Sequence, residues 1–319
     1  PGRGNPILDL GWTLRKSIFD RITNIFPDRG NFLKAVLFGT RGALRDDIET
    51  RFTETGLAHL LAASGLHLGI ILGISWWVAG YLGLRRETTY LISLPFLFLY
   101  LIVAGFSLPL VRASLIYLFG GAHLILKTRG VILDNWYDRY QVLAGAALIL
   151  IAINPGSITT VGFQLSFGAT FALALFFDPI KKALPGRAGY LKGILAASLS
   201  AQLGVTPVLA LHFNRLHPWG PIVNLVAIPG VTVVLYLGIL ALIFGGIFPV
   251  SAGLIWCETR AIFVLRWIVK HISGFPLTSI PLPDLTPLAL GSYFTLVYWF
   301  RRKLTLNNDN YVRNRGRES

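Results

Sequence analysis

Long apolar runs separated by short charged stretches set the plan of this chain. Such runs predict membrane-spanning helices at about 57–82, 89–105, 110–126, 141–153, 159–177, 193–212, 231–248 and 287–300. The intervening pieces carry the turn and charge signals. Gly83–Thr88 holds Arg85 and Arg86, and Phe106-Ser107-Leu108-Pro109 is an uncharged break. The loop after the third span carries Lys127, Arg129, Asp134, Asp138 and Arg139; that at 178–192 carries Lys181, Lys182, Arg187 and Lys192. Residues 11–26 place Trp12, Ile18, Ile22 and Phe26 on one stripe and charges on the rest, an amphipathic helix suited equally to the membrane interface and to packing on a further soluble domain. A short apolar helix at 31–38 and a charged one at 44–55 follow. PWGPIVNLVAIPG at 218–230 is bracketed by prolines and too short to span, which predicts a half helix or the first part of a broken one. Residues 252–272 put most of their cations on one broad face, which favours a second interfacial amphipathic helix over a span lining a pore, the alternative that the sequence leaves open. The expected architecture is all-α, a polytopic membrane helix bundle with interfacial amphipathic helices. Its parts are amphipathic and charged helices at 1–55, a transmembrane domain at 56–303 and a disordered polar tail at 304–319.

The first span opens on Gly56–Gly73, GLAHLLAASGLHLGIILG. Read as one helix with His59 at 0°, it puts His67 at about 80° and Ser64 at about 140°. Gly65, Gly69 and Gly73 then fall between about 240° and 320°. One arc is polar. The other is small and predicts close approach of a neighbouring helix. A polar group at membrane depth needs a partner, water or a substrate. In the sixth span Ser198, Gln202 and Thr206 form a second polar stripe, and Pro207 frees the carbonyl of Leu203.

Composition supports the membrane reading: 54% of the residues are hydrophobic and the mean hydropathy is +0.61. Lys and Arg exceed Asp and Glu by 29 to 15, a net charge of +14. Positive loops and contact with anionic membrane lipids explain much of it; the sharper reading is an anionic substrate. Cations follow spans one, three and five, so those loops are expected to be cytoplasmic. The lone Cys257 excludes an intrachain disulfide. The chain begins at Pro1 and contains no Met, and it is expected to be part of something longer.

The candidate chemistry narrows by elimination. On one helix His59 and His67 are about 12 Å apart, too far to share a zinc ion, so no metal or other cofactor is expected. Ser64 and His67 at i, i+3 can pair, but the span contains no Asp to orient the imidazole, so catalysis is not expected. An intramembrane hydrolase stays as a minor alternative. No Asp or Glu sits in the confident spans, which disfavours an ion-coupled pump. A lining of hydrogen-bond donors with scattered positive charge suits an anion, either a small one carried by a permease or a polyanion. Trp76, Trp77 and Trp219 serve as interfacial anchors or as stacking platforms.

Thr55–Ile71 (TGLAHLLAASGLHLGII) resembles the signature of the ComEC-type competence proteins. LVRAS at 110–114, the stretch 155–167 with GFQLSF, His212-Phe213 and PIVNLVAIP at 221–229 follow in that family's order. The resemblance covers roughly 35–300 and implies a bacterial inner-membrane, multi-pass channel that passes single-stranded DNA into the cytoplasm during natural transformation, and not an enzyme. It makes His59, Ser64, His67, Arg112, Gln164, Ser166, His212 and Asn224 residues that line or support the DNA path, to which the polar stripe adds Gln202. Gly65 and the rest of the glycine stripe, with Gly162 and Pro229, would be structural. Members often add an OB-type domain before this region and a metallo-β-lactamase-like nuclease domain after it; no H-x-H-x-D-H run occurs in these 319 residues. Nor does a G-x-x-x-x-G-K-[ST] loop, so a cytoplasmic DNA motor is the expected partner.

Overall fold

The computed structural model describes residues 6–42, 44–131, 138–186, 189–275, 278–282 and 286–315. Asp134 and Arg187 of the expected basic loops, and 316–319 of the expected tail, lie outside the described residues. The chain divides into two compact units, 1–142 with 227–274 and 143–226 with 275–319.

The first unit begins with α1 (Pro6–Ile25), α2 (Gly30–Phe38) and α3 (Asp46–Glu54). The amphipathic stripe of α1 is realised at its end, where Ile22 and the following Phe26 are buried while Trp12 stays exposed. Leu33, Leu37, Phe52, Leu57, Leu60 and Leu61 complete a core under these short helices. Then come α4 (Gly65–Tyr81), α5 (Arg86–Ala104) and α6 (Leu108–Thr128). Tyr100 of α5 donates its hydroxyl to the Leu37 carbonyl of α2 at 2.8 Å, tying the apolar helices to the N-terminal layer. The unit closes with the later part of α10 (Gly220–Phe244) and with α11 (Val250–Ser273).

The second unit holds most of α7 (Arg139–Ile153), then α8 (Val161–Ala183), α9 (Gly189–Phe213), the start of α10 and α12 (Pro287–Arg315). Two-residue strands β1 (Arg215–Leu216) and β2 (Ile280–Pro281) pair antiparallel, Arg215 opposite Pro281. The core is the α8–α9 pair, where Ala172, Phe176, Ile180 and Ala196 are buried together. Its tightest point is Gly168 against Gly204: a Cβ on Gly168 would stand 2.8 Å from the Gly204 carbonyl oxygen, and one on Gly204 would collide with the Gly168 carbonyl.

Among the described residues five helices are long and apolar enough to cross a membrane: α5, α6, α8, α9 and α10. The expected first and fourth spans correspond to the shorter apolar helices α4 and α7. Three expectations are corrected. The break near 218–230 is a proline, Pro229, inside one continuous helix α10. A proline removes one donor, and an apolar helix of 25 residues keeps enough remaining bonds to run through it. The polar tail expected from 304 is helical as far as Arg315, as a continuation of α12. Finally, the stretch 57–82 is not a single helix, which bears directly on the site.

Candidate functional site

The first polar cluster is built by a chain break. Gly56 turns the backbone with φ 75°, a conformation in which glycine meets no Cβ clash. A short 3-10 turn covers Ala58–Leu61, and Ala62 is extended at φ −122°, ψ 134°. Ser64 is also extended, at φ −138°, ψ 175°, and stands as the residue before α4. Three long-range contacts hold this segment out of helix. Arg41 donates to the carbonyls of Ala58, at 2.8 Å, and Leu61, at 3.2 Å. The Ser107 hydroxyl donates to the Ala63 carbonyl at 3.0 Å. Gly39, in the left-handed region at φ 73°, packs so closely that a Cβ there would lie 2.7 Å from the Ala63 nitrogen.

His59 and His67 therefore do not share a helix face, and the two-turn separation deduced for them does not apply. His59 is on the 3-10 turn, exposed, its Nδ1–H donating to Gly56 O at 3.1 Å. His67 is fully buried, at 0% exposure, in the first turn of α4. Ser64 does pair with it, Oγ to Nδ1 at 2.9 Å. The Nε2 of His67 makes no hydrogen bond among the described residues. In a hydrolytic dyad the serine engages one imidazole nitrogen while an acid orients the ring through the other. Here the nitrogen facing away from the serine has no such partner.

Arg112 joins this cluster from α6. A Cβ on Gly65 would lie 3.2 Å from the Ala113 Cβ and 3.8 Å from Nη2 of Arg112, so Gly65 is where α4 and α6 meet. The rest of the expected glycine face does no such packing. Gly69 looks onto open space, and Gly73 meets only the Tyr236 hydroxyl at 3.8 Å. Beyond Gly65 the α4–α6 contact is carried by longer side chains rather than by the glycines. Close glycine packing is instead found in the α8–α9 pair.

The first unit also holds a feature not expected from the sequence. Trp76 donates Nε1–H to the Tyr117 hydroxyl at 2.8 Å, and Tyr117 bonds Ser93 at 2.5 Å. This network links α4, α5 and α6, so Trp76 is an internal strut, while Trp77 is exposed. Aromatic residues with polar tips at matching depths of three apolar runs were the available signal.

The second unit gathers the remaining residues. Thr160 caps α8, its Oγ1 accepting from Phe163 N at 3.3 Å, which orients the GFQLSF turn. Gln164 in that turn meets Nε2 of His212, near the end of α9, at 2.9 Å through Oε1, and donates to the Ile158 carbonyl at 3.3 Å. Ser166 is buried two residues on. Asn224 of α10 donates to Ser198 Oγ at 3.1 Å, and its Oδ1 has no partner among the described residues. Gln202 bonds its own helix neighbour Thr206 at 3.4 Å. Tyr293 of α12 donates to the Leu203 carbonyl at 2.5 Å, satisfying the acceptor that Pro207 leaves open. The nine candidate residues thus fall into two groups: His59, Ser64, His67 and Arg112 in the first unit, and Gln164, Ser166, Gln202, His212 and Asn224 in the second.

No solved structure matches this chain. Among curated proteins it is 30% identical over 226 residues to ComE operon protein 3 of Bacillus subtilis, covering 68% of this chain and 27% of that protein. It is 28% identical over 264 residues to competence protein ComA of Neisseria gonorrhoeae, covering 79% of this chain and 36% of that one. Recombination protein 2 of Haemophilus influenzae is 26% identical over 212 residues, 62% of this chain and 26% of its own length. The chain spans between about a quarter and about a third of the length of these relatives. The family model described as competence protein matches residues 36–304, a stretch that takes in both polar clusters and all five long apolar helices. The chain therefore belongs to the competence protein family, as a multi-pass membrane member of it.

Proposed function

We propose that this chain is the part of a bacterial inner-membrane channel through which one DNA strand enters the cytoplasm during natural transformation. The observation that supports it is the pairing of polar side chains in and at the ends of otherwise apolar helices at the motif residues: Ser64 with His67, Gln164 with His212, Ser198 with Asn224. Polar side chains at membrane depth are expensive and mark routes for polar cargo. The net charge of +14 and membership of the competence family give that cargo its class.

The work asked of the residues is electrostatic rather than covalent. Arg112 next to Gly65 supplies a cation to the strand phosphates, and Ser64 with His67 fixes the backbone turn that presents it. The amide and imidazole donors of Gln164, His212 and Asn224 replace water around the strand. The chain carries out no chemistry on DNA. In this reading an OB-type domain and a metallo-β-lactamase-like nuclease domain are further partners, and a cytoplasmic motor draws the strand inward.

In transformable cells carrying the variant gene, Arg112→Ala and His67→Ala are each expected to lower transformation frequency at unchanged protein level. The expected loss is roughly tenfold or more, equivalent to about 1.4 kcal/mol in a rate-determining step. Ser64→Ala, which removes the partner of His67 without touching the core, is expected to fall in the same direction. Full DNA uptake by all three variants would overturn the assignment of this cluster. Loss of a peptide or ester cleavage activity in Ser64→Ala would redirect it to hydrolysis.

A further inference from the structure

Between α3 and α11 of the first unit lies a cavity of about 320 Å³, whose lining includes none of the nine candidate residues. Four cations line it, Arg29, Arg51, Arg266 and Lys270, against one carboxylate, Asp47. That carboxylate is already engaged, its Oδ1 lying 3.1 Å from Nε of Arg45. Arg29 is held by the Thr259 carbonyl at 3.1 Å and Arg51 by Ser273 Oγ at 3.5 Å. Among the described residues neither Arg266 nor Lys270 forms an ion pair. Burial lowers the pKa of Arg266; Asp47 opposes this, while Arg45 and Arg29 add to it. Four cations held around one cavity repel one another unless an anion enters.

The rim of the cavity says which anion. On α11 the buried face is Glu258, Ile262, Leu265 and Val269. The opposite face carries Trp256, Phe263 and Trp267, which fall within about 40° of one another on the helix. They are 61%, 55% and 51% exposed. Arg266 and Lys270 fall between these two faces, at the edge of the aromatic arc. Phe263 and Trp267 themselves line the cavity. A helix with an exposed aromatic arc bordered by cations lies at a bilayer surface. A ligand that meets both halves of this site has a phosphodiester for the cations and hydrocarbon for the aromatics.

We infer that the cavity between α3 and α11 binds the headgroup phosphate of an anionic phospholipid, with the acyl chains running along Phe263 and Trp267. The site anchors α3 and α11 to the membrane surface independently of any DNA path. Nothing in it depends on the transport reading, and its test uses no transformation readout.

The experiment titrates the purified full-length protein, in neutral detergent, with dioctanoylphosphatidylglycerol and follows the melting temperature. Parallel titrations use dioctanoylphosphatidylcholine, glycerol 3-phosphate and an oligothymidylate. The expected result is a saturable rise with phosphatidylglycerol that weakens as salt is added, and none with the zwitterionic lipid or with glycerol 3-phosphate. The double variant Arg266→Gln/Lys270→Gln is expected to need roughly 30-fold more phosphatidylglycerol, about fivefold for each cation lost. Lys270→Gln alone carries the same decision at about fivefold should the double variant lose its helical circular dichroism. Equal response of wild type and variants overturns the site. Glycerol 3-phosphate matching the lipid overturns the lipid assignment in favour of a free anion. Displacement of phosphatidylglycerol by the oligonucleotide overturns it in favour of nucleic acid.

Discussion

Replacing Gly204 with alanine is expected to destabilise the protein by about 1–3 kcal/mol, the range for forcing an extra methyl into a packed interface. The reason is geometric. A Cβ at this position collides with the Gly168 carbonyl and reaches the Ala172 methyl at 2.7 Å. The first of these is backbone, which no rotamer change can move aside. To accommodate the methyl, α8 and α9 must separate, and the buried cluster of Ala172, Phe176, Ile180 and Ala196 opens with them. Gly204→Leu is expected to cost more still. The control is Gly69→Ala. Gly69 also sits inside an apolar helix, but among the described residues no atom of a neighbouring element lies within 4 Å of where its Cβ would be. There the substitution only removes glycine's backbone freedom and is expected to stabilise by about 0.5–1 kcal/mol. Thermal or SDS unfolding of the purified protein measures both. Equal effects at the two glycines would contradict the close approach of α8 and α9.

That contrast shows where sequence reading succeeds and where it stops. Spacing alone made Gly65, Gly69 and Gly73 an attractive packing face, yet only Gly65 touches a neighbour closely. Small residues permit close approach, but the partner helix decides whether it happens, and the partner is set by the whole bundle. Gly168 and Gly204 carry no spacing signal, because the pair lies on two helices 36 residues apart in sequence.

The break at Ala62–Ser64 was hidden for a similar reason. From Leu57 to Ile74 only His59, Ser64 and His67 interrupt the apolar residues and glycines, and no proline or acidic or basic residue of fixed charge marks the change from 3-10 turn to extended chain. The causes are Gly39, Arg41 and Ser107, each distant in sequence. By contrast, the amphipathic α1, the charged α3 and the apolar spans were legible, since periodicity and composition are local properties. Pro207 is an intermediate case. Its sequence position identifies the Leu203 carbonyl as an open acceptor, but that Tyr293 fills it becomes visible only once α12 is in place.

Glu258 is a buried carboxylate on α11, a helix that also carries several cations. Its side chain faces away from them. It is 0% exposed, and neither carboxylate oxygen has a hydrogen-bond partner among the described residues. Oε1 lies 3.6 Å from where a Cβ on Gly238 of α10 would be, a place that also meets Leu33 of α2. An unpaired buried carboxylate costs several kcal/mol in its charged form, so the site favours the protonated acid. Burial raises its pKa from 4.5 to about 8. The folded protein therefore keeps a proton that the unfolded chain releases near pH 4.5. Stability from this group is fully present below pH 4.5, falls between 4.5 and about 8, and levels off above that. The slope in that window is at most about 1.4 kcal/mol per pH unit. Glu258→Gln keeps the shape and removes the titration, so its melting temperature is expected to be independent of this group. Relative to that variant, the wild-type protein in detergent should lose melting temperature steadily from pH 5 to pH 8. The two proteins should be closest at the acidic end. Parallel profiles across that range would mean that Glu258 is ionised and paired in the folded protein, and the buried acid would have to be abandoned.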